Sequence, residues 1–232
     1  MNPGKTIPEW EAKLWSYVSA GDGQHCPLYQ TCDARTSGTW CPDDNKHLLR
    51  RLVNDDNFQV EKFNNVITPN CGVNGVIGQM LVKLSDRFLA KHSAGHPPVP
   101  TELALLADEP NNIEIRPISL KRYGGALWRL EDGWIIYLNS NDSIPRQRFT
   151  LFHEVFHILA HRATPNPVFK RMGVDQGSFN ELVADGFAML VLASEKWVKE
   201  AWQESQDVDK IAEMLIAPKA LIWFRLKYLQ LV

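Results

Sequence analysis

The sequence predicts an α+β fold, a small antiparallel sheet packed with helices and preceded by a mainly helical, cysteine-containing N-terminal region. Three observations carry this. Residues 113–139 hold three short apolar runs, two of them separated by Glu131-Asp132-Gly133, which suits a tight hairpin turn. Residues 76–92 carry an apolar stripe at helical spacing. From Asn141 onward the chain reads as helices with their own start signals.

Residues 8–20 read as a helix, with Trp10, Leu14, Trp15 and Val18 on one face. Residues 21–46, rich in Gly, Cys, Asp, Thr and Pro, read as irregular. A short helix is expected within 47–60, and Asn64 to Asn74 is turn-like. Val76 to His92 forms a helix whose stripe is Ile77, Met80, Leu81, Leu84, Phe88 and Leu89, which suits a core better than a ligand surface. The run His92-Ser93-Ala94-Gly95-His96-Pro97-Pro98-Val99-Pro100 breaks that pattern, dividing the chain into residues 1–96 and 97–232. Thr101 is the expected cap of a short helix through Ala107. Strands are expected at 113–118, 126–130 and 134–139. Asn141-Asp142-Ser143 then caps a long helix with Pro145 in its first turn. No internal repeat or low-complexity tract is present.

Composition narrows the function. An apolar fraction of 44% and eight tryptophans are ample for a core in a 232-residue chain. A net charge of −2 leaves no electrostatic footprint for nucleic acid, so direct nucleic-acid binding is not expected. The first ten residues have no apolar core of a signal peptide, and the longest apolar runs, such as Phe187 to Ala193, are far below a membrane span. A cytoplasmic location is the expectation, and there the four cysteines are reduced unless they serve a metal or redox role.

The chemistry lies in residues 153–157, His-Glu-Val-Phe-His. Two histidines four apart on a helix share one face, and their imidazoles can hold one zinc ion. Glu154 follows the first histidine directly, where a general base would take a proton from a zinc-bound water. Catalytic zinc wants three protein ligands and one open position. Glu181, which opens the helical stretch Asn180-Glu181-Leu182-Val183-Ala184-Asp185, can fill the third place. Asp185 lies one turn later on the same face and can accept a hydrogen bond from the far nitrogen of a ligating histidine. Ala184 and Ala188 would let this helix approach the histidine helix closely. The bland alternatives are two satisfied histidines in a buried helix and two surface carboxylates on another. A metzincin is excluded, because that motif needs a glycine and a third histidine where this chain has Ala160 and Ala163. A glutamate with an aspartate four residues on is the gluzincin arrangement.

Over roughly residues 100–232 these features resemble the ImmA/IrrE family of metallo-endopeptidases. The resemblance rests on the hairpin-like 126–130 and 134–139, on Arg148-Phe149-Thr150 before the motif and His161 after it. It also rests on Glu181-Leu182-Val183-Ala184-Asp185-Gly186-Phe187-Ala188, similar to E-x-x-A-x-x-F-A, and on the closing stretch 220–229. It implies a zincin-like metalloprotease core, Zn2+ held by His153, His157 and Glu181, and Glu154 as base. It further implies a protein substrate, typically a DNA-binding transcriptional repressor. Two departures stand out. The family's Leu-Met-Pro after the glutamate helix is replaced by Leu192-Ala193-Ser194, and the first hundred residues match no known pattern.

Several secondary readings follow. The strand 134–139 precedes the active helix and, if it is a sheet edge, an extended substrate can add to it as a further strand. Candidate oxyanion donors are His161, Tyr137 and Tyr123, although His161 also suits a helix C-terminus on dipole grounds alone. Cys26, Cys32, Cys41 and either Cys71 or His25 could surround a second zinc or an iron–sulfur cluster. Their C-x5-C-x8-C spacing is off the common zinc pattern, and plain thiols in a loop are the competing reading. The alternative function is a non-proteolytic regulatory or sensor protein with a zinc-binding degenerate protease fold. A helix-turn-helix reading of 207–229 is disfavoured by Pro218 and by the large apolar residues Leu221, Ile222, Trp223, Phe224 and Leu226.

Overall fold

A computed structural model of the chain describes residues 7–19, 48–55, 58–59, 76–92, 94–121, 123–163 and 179–232. The turn-like segment 64–74, His25 and the four cysteines, Cys26, Cys32, Cys41 and Cys71, lie outside the described residues.

The N-terminal part contributes α1 (Glu9–Ser19), α2 (Leu48–Val53) and α3 (Val76–Lys91). The stripe expected on α3 is buried through Met80, Leu81, Leu84, Phe88 and Leu89. A 3-10 helix, Thr101–Leu106, follows. It is the short helix expected there, without the expected cap. Pro100 holds the N-cap position and no side chain caps it, so Thr101 is the first residue of the turn and not its cap.

The sheet consists of β1 (Asn112–Ile118), β2 (Gly125–Arg129) and β3 (Gly133–Asn139), in the order β1-β3-β2. The hairpin is as expected: β2 runs antiparallel to β3, with Leu127 opposite Ile136. The other pairing differs from the expectation, since β1 runs parallel to β3, with Ile115 opposite Ile136, and the sheet is mixed. The reason is the link between β1 and β2. A two-residue turn would lay these strands side by side. The link of residues 119–124 is long enough to set β2 down two strand spacings away, about 9.5 Å, and β3 returns into the gap. β3 is therefore central and paired on both sides, which removes the idea that a substrate strand adds to it. β2 is the edge on the hairpin side among the described residues.

The helical half comprises α4 (Ile144–Ala163), α5 (Phe179–Leu192), α6 (Glu195–Ser205), α7 (Val208–Leu215) and α8 (Lys219–Tyr228). The carbonyl of Ser143 accepts the first α4 bond, from the Gln147 amide at 2.9 Å, which places the helix start within the expected cap. α4 lies between the sheet and the other helices. On one side Trp134, Ile136 and Leu138 of β3 are buried toward it. On the other, rings interlock across four helices: Phe156 lies 5.7 Å from Trp15 of α1 and 5.7 Å from Phe187 of α5, and Phe88 of α3 lies 5.7 Å from Phe187. Each ring so buried contributes roughly 1.5–3 kcal/mol of transfer free energy. Ala184 and Ala188 are fully buried, as the sequence led us to expect of close-packed helices. Gly186 faces α3, where a Cβ would stand 3.1 Å from Leu81 Cδ1.

α8 is core and not a groove-reading helix, with Leu221, Ile222, Trp223, Phe224 and Leu226 all buried. Asp207 caps α7 by accepting from the amides of Asp209 and Lys210. Among the described residues no helix is long and apolar enough to cross a membrane.

Candidate metal centre

α4 presents His153 and His157 one turn apart, and α5 brings Glu181 across from them. The three donor atoms lie close together. Nε2 of His157 is 3.1 Å from Nε2 of His153. Glu181 places Oε2 3.2 Å from His153 Nε2 and Oε1 3.1 Å from His157 Nε2. Zinc bonds of about 2.0–2.1 Å in tetrahedral geometry require donors about 3.3 Å apart. The His-His-Glu set thus fits a small tetrahedral ion, and two imidazoles with one carboxylate suit zinc and similar transition metals rather than calcium or magnesium, which take all-oxygen sets. His153, His157 and Glu181 together form the candidate metal-holding group among the described residues.

Asp185 sits where the helical spacing puts it. Its Oδ1 is 2.7 Å from His153 Nδ1, which fixes the ring so that Nε2 faces the other donors. Both Glu181 and Asp185 are almost wholly buried. Their ionisation follows from that. Burial would raise the Glu181 carboxyl, but the two histidines outweigh it and hold it well below the ordinary range. Burial likewise opposes ionised Asp185, and Arg50 and His153 overcome it. Burial and the Arg50 cation favour neutral His153, yet Glu181 and Asp185 prevail and raise it to about 9.

Arg50, on α2, was not expected here. Its Nη2 donates to Asp185 Oδ1 at 2.7 Å, and its Nε lies 3.3 Å from both carboxylate oxygens. Nη2 is also 2.8 Å and 3.0 Å from the two ring nitrogens of His153, and Nη1 is 3.5 Å from Glu181 Oε2. No sequence signal marks it, since it lies 103 residues from His153 in a segment without a motif.

Glu154 points toward the sheet. A Cβ built on Gly125 of β2 would stand 3.5 Å from Glu154 Oε1 and 2.4 Å from Thr150 Cγ2. β2 thus approaches the motif helix closely because residue 125 is glycine. A glycine in a strand run signals such an approach, and the Gly124-Gly125 pair carried that signal.

The oxyanion candidates separate. Gly125 faces α4, so its neighbour Ala126 and the opposing Tyr137 face the other side of the sheet, where Tyr137 bonds Arg116. Tyr137 is therefore away from the motif helix. His161 packs edge-on against Trp134 at 4.8 Å, next to Arg129 and Asp108. Tyr123, two residues before Gly125, is 45% exposed.

Residues 109–227, more than half of the chain, match the model of the IrrE N-terminal-like domain, Peptidase_M78. No curated protein matches the chain. Arg50 lies outside the matched stretch.

Proposed function

The chain belongs to the family of the IrrE N-terminal-like domain, Peptidase_M78, and on that premise we propose that it is a zinc-dependent endopeptidase. The observation that carries the reading is the His153–His157–Glu181 set at tetrahedral spacing, with Glu154 following His153 on the same helix. His153, His157 and Glu181 hold the metal, Asp185 orients His153, and Glu154 is the base. In this reading residues 97–232 carry the chemistry and residues 1–96 form an N-terminal region whose described helices pack on it.

Zinc bound there supplies a Lewis acid and lowers the pKa of a water toward about 7. The chain does the rest. Glu154 takes the proton from the attacking water and passes it to the leaving amine. Asp185 keeps Nδ1 of His153 protonated, so that Nε2 is the donor atom. The edge strand β2, next to Glu154, is the place where an extended substrate backbone can pair, since its outer hydrogen-bonding groups are not used by β3. Tyr123, two residues before that strand and exposed, is our candidate hydroxyl donor to the carbonyl being attacked.

The substrate is a protein and, following the resemblance to the ImmA/IrrE family, a DNA-binding transcriptional repressor. Metal content per chain by elemental analysis, on protein purified without chelator, tests the centre. Close to one zinc, lost in His153→Ala, is the expected result. No metal would overturn it, and one zinc without cleavage of any protein would favour the sensor alternative. Capture of uncut substrate by Glu154→Gln would name the target.

A further inference from the structure

We propose that Arg50 is a resident cation of the metal centre and competes with the metal ion, so that the N-terminal region sets metal affinity. The inference rests on the metal-centre reading above and adds to it a residue from outside the matched domain.

The argument begins with donors and acceptors. Guanidinium nitrogens donate only. Nδ1 of His153 is 2.7 Å from Asp185 Oδ1, which makes Nδ1 the N–H of the neutral ring. Nη2 of Arg50 lies 2.8 Å from Nδ1 and 3.0 Å from Nε2, so it stands against the ring, within contact of the atom that would hold the metal. A guanidinium there and an ion on Nε2 would be two cations in contact.

Charge makes the same point. Arg50 is placed against Asp185 and Glu181, with Glu154 also in its field. The same cluster of carboxylates attracts a divalent ion. A guanidinium about 3 Å from the ligand atoms would stand within a few ångströms of that ion and repel it. Metal entry therefore requires the guanidinium to leave His153 and Glu181.

The chain allows that movement. The Arg50 side chain is 32% exposed, whereas Glu181 and Asp185 are nearly sealed, so Arg50 can turn outward and they cannot. Its helix is held by Leu49, Leu52 and Val53, which are buried with α8, and not by the site itself. The position of α2 on α8 thus decides how hard Arg50 presses on the centre.

The experiment uses the full chain as wild type, Arg50→Gln and Arg50→Lys. Each is stripped, and its zinc affinity is measured by competition with a chromogenic chelator at fixed pH and salt. Arg50→Gln should bind zinc about tenfold or more tightly than wild type, because the like charge is gone. Arg50→Lys keeps the charge and should stay within about threefold of wild type. Stripped Arg50→Gln should also melt below stripped wild type, while the zinc-loaded proteins melt together. Equal or weaker binding by Arg50→Gln overturns the proposal and makes Arg50 a support of Asp185, as does a parallel loss in both variants. Should Arg50→Gln not fold, hydrogen exchange on wild type decides. Faster exchange of the α2 amides on adding zinc supports release of Arg50, and unchanged or slower exchange overturns it. A wild type that binds no zinc fails the metal-centre reading itself, a distinct result.

Discussion

Gly125 and Glu154 define the gap between the edge strand and the motif helix: a Cβ on Gly125 would come within 3.5 Å of the Glu154 carboxylate. It would also stand 2.4 Å from Thr150 Cγ2 and 2.9 Å from the Tyr137 carbonyl oxygen. Gly125→Ala must therefore push β2 away from α4 or turn Thr150. We expect a loss of roughly 1–3 kcal/mol in denaturant unfolding, with cleavage falling further than metal content. Thr150→Ala in the same chain should restore part of the stability. A Gly125→Ala protein as stable and active as wild type would show that the gap is not needed.

Glu154→Gln removes the proposed base and keeps the side chain's shape. Zinc content should be unchanged and cleavage should fall about 10²–10⁴-fold. Elemental analysis with a peptide or protein cleavage assay reads both, and undiminished cleavage would remove Glu154 from the mechanism.

Asp185→Asn exchanges an acceptor-only carboxylate for an amide 2.7 Å from His153 Nδ1. Zinc affinity should fall about 10–100-fold, measurable by chelator competition. Affinity equal to wild type would mean that His153 is oriented by packing alone.

The tyrosines should part company. Tyr137→Phe, on the far side of the sheet, should leave kcat within about twofold, since no transition-state contact is lost. Tyr123→Phe should lower kcat without lowering metal content. The reverse order would place the oxyanion on the other face and contradict the sheet register.

The stripped protein should show a pH signature. The His153 pKa is raised from the ordinary 6.5 to about 9. Its contribution to stability is thus fully present below pH 6.5 and lost as pH rises through about 9. Glu181 and Asp185 are depressed, so their contribution is present above the ordinary carboxylate pKa and lost as pH falls. Melting temperatures of chelator-treated protein should therefore decline between pH 6.5 and 9. Zinc-loaded protein should not show that decline, because Nε2 carries no proton there to lose.

The pairs His153–His157 and Glu181–Asp185 were legible because helical spacing puts residues four apart on one face. A wrong helix boundary would not have moved them. Parallel pairing of β1 with β3 was not legible, since alternation of apolar residues reads the same for either strand direction. The side of the sheet taken by Tyr137 depends on the β2–β3 register and on which face α4 covers, and was hidden too. Arg50 was illegible for a different reason. Its role comes from reach across the fold, and a single arginine after two leucines looks like any exposed helix residue. The expected cap at Thr101 failed because Pro100 already supplies the fixed backbone angle that starts the turn.

Two arginines moor the motif helix at its ends. Arg148 donates to the carbonyls of Val99 and Ile216 at 2.7 Å and 3.0 Å. Arg162 donates to the Ala107 carbonyl at 2.6 Å and pairs with Asp108 at 3.0 Å. His153 follows the first mooring by five residues and His157 precedes the second by five, so the two candidate ligands sit at mid-span of a beam clamped at both ends. A clamped beam neither slides nor tilts as a neighbour shifts. Changes on the exposed face of α6 and α7 are thereby free to accumulate, while the spacing of His153 and His157 stays as it is.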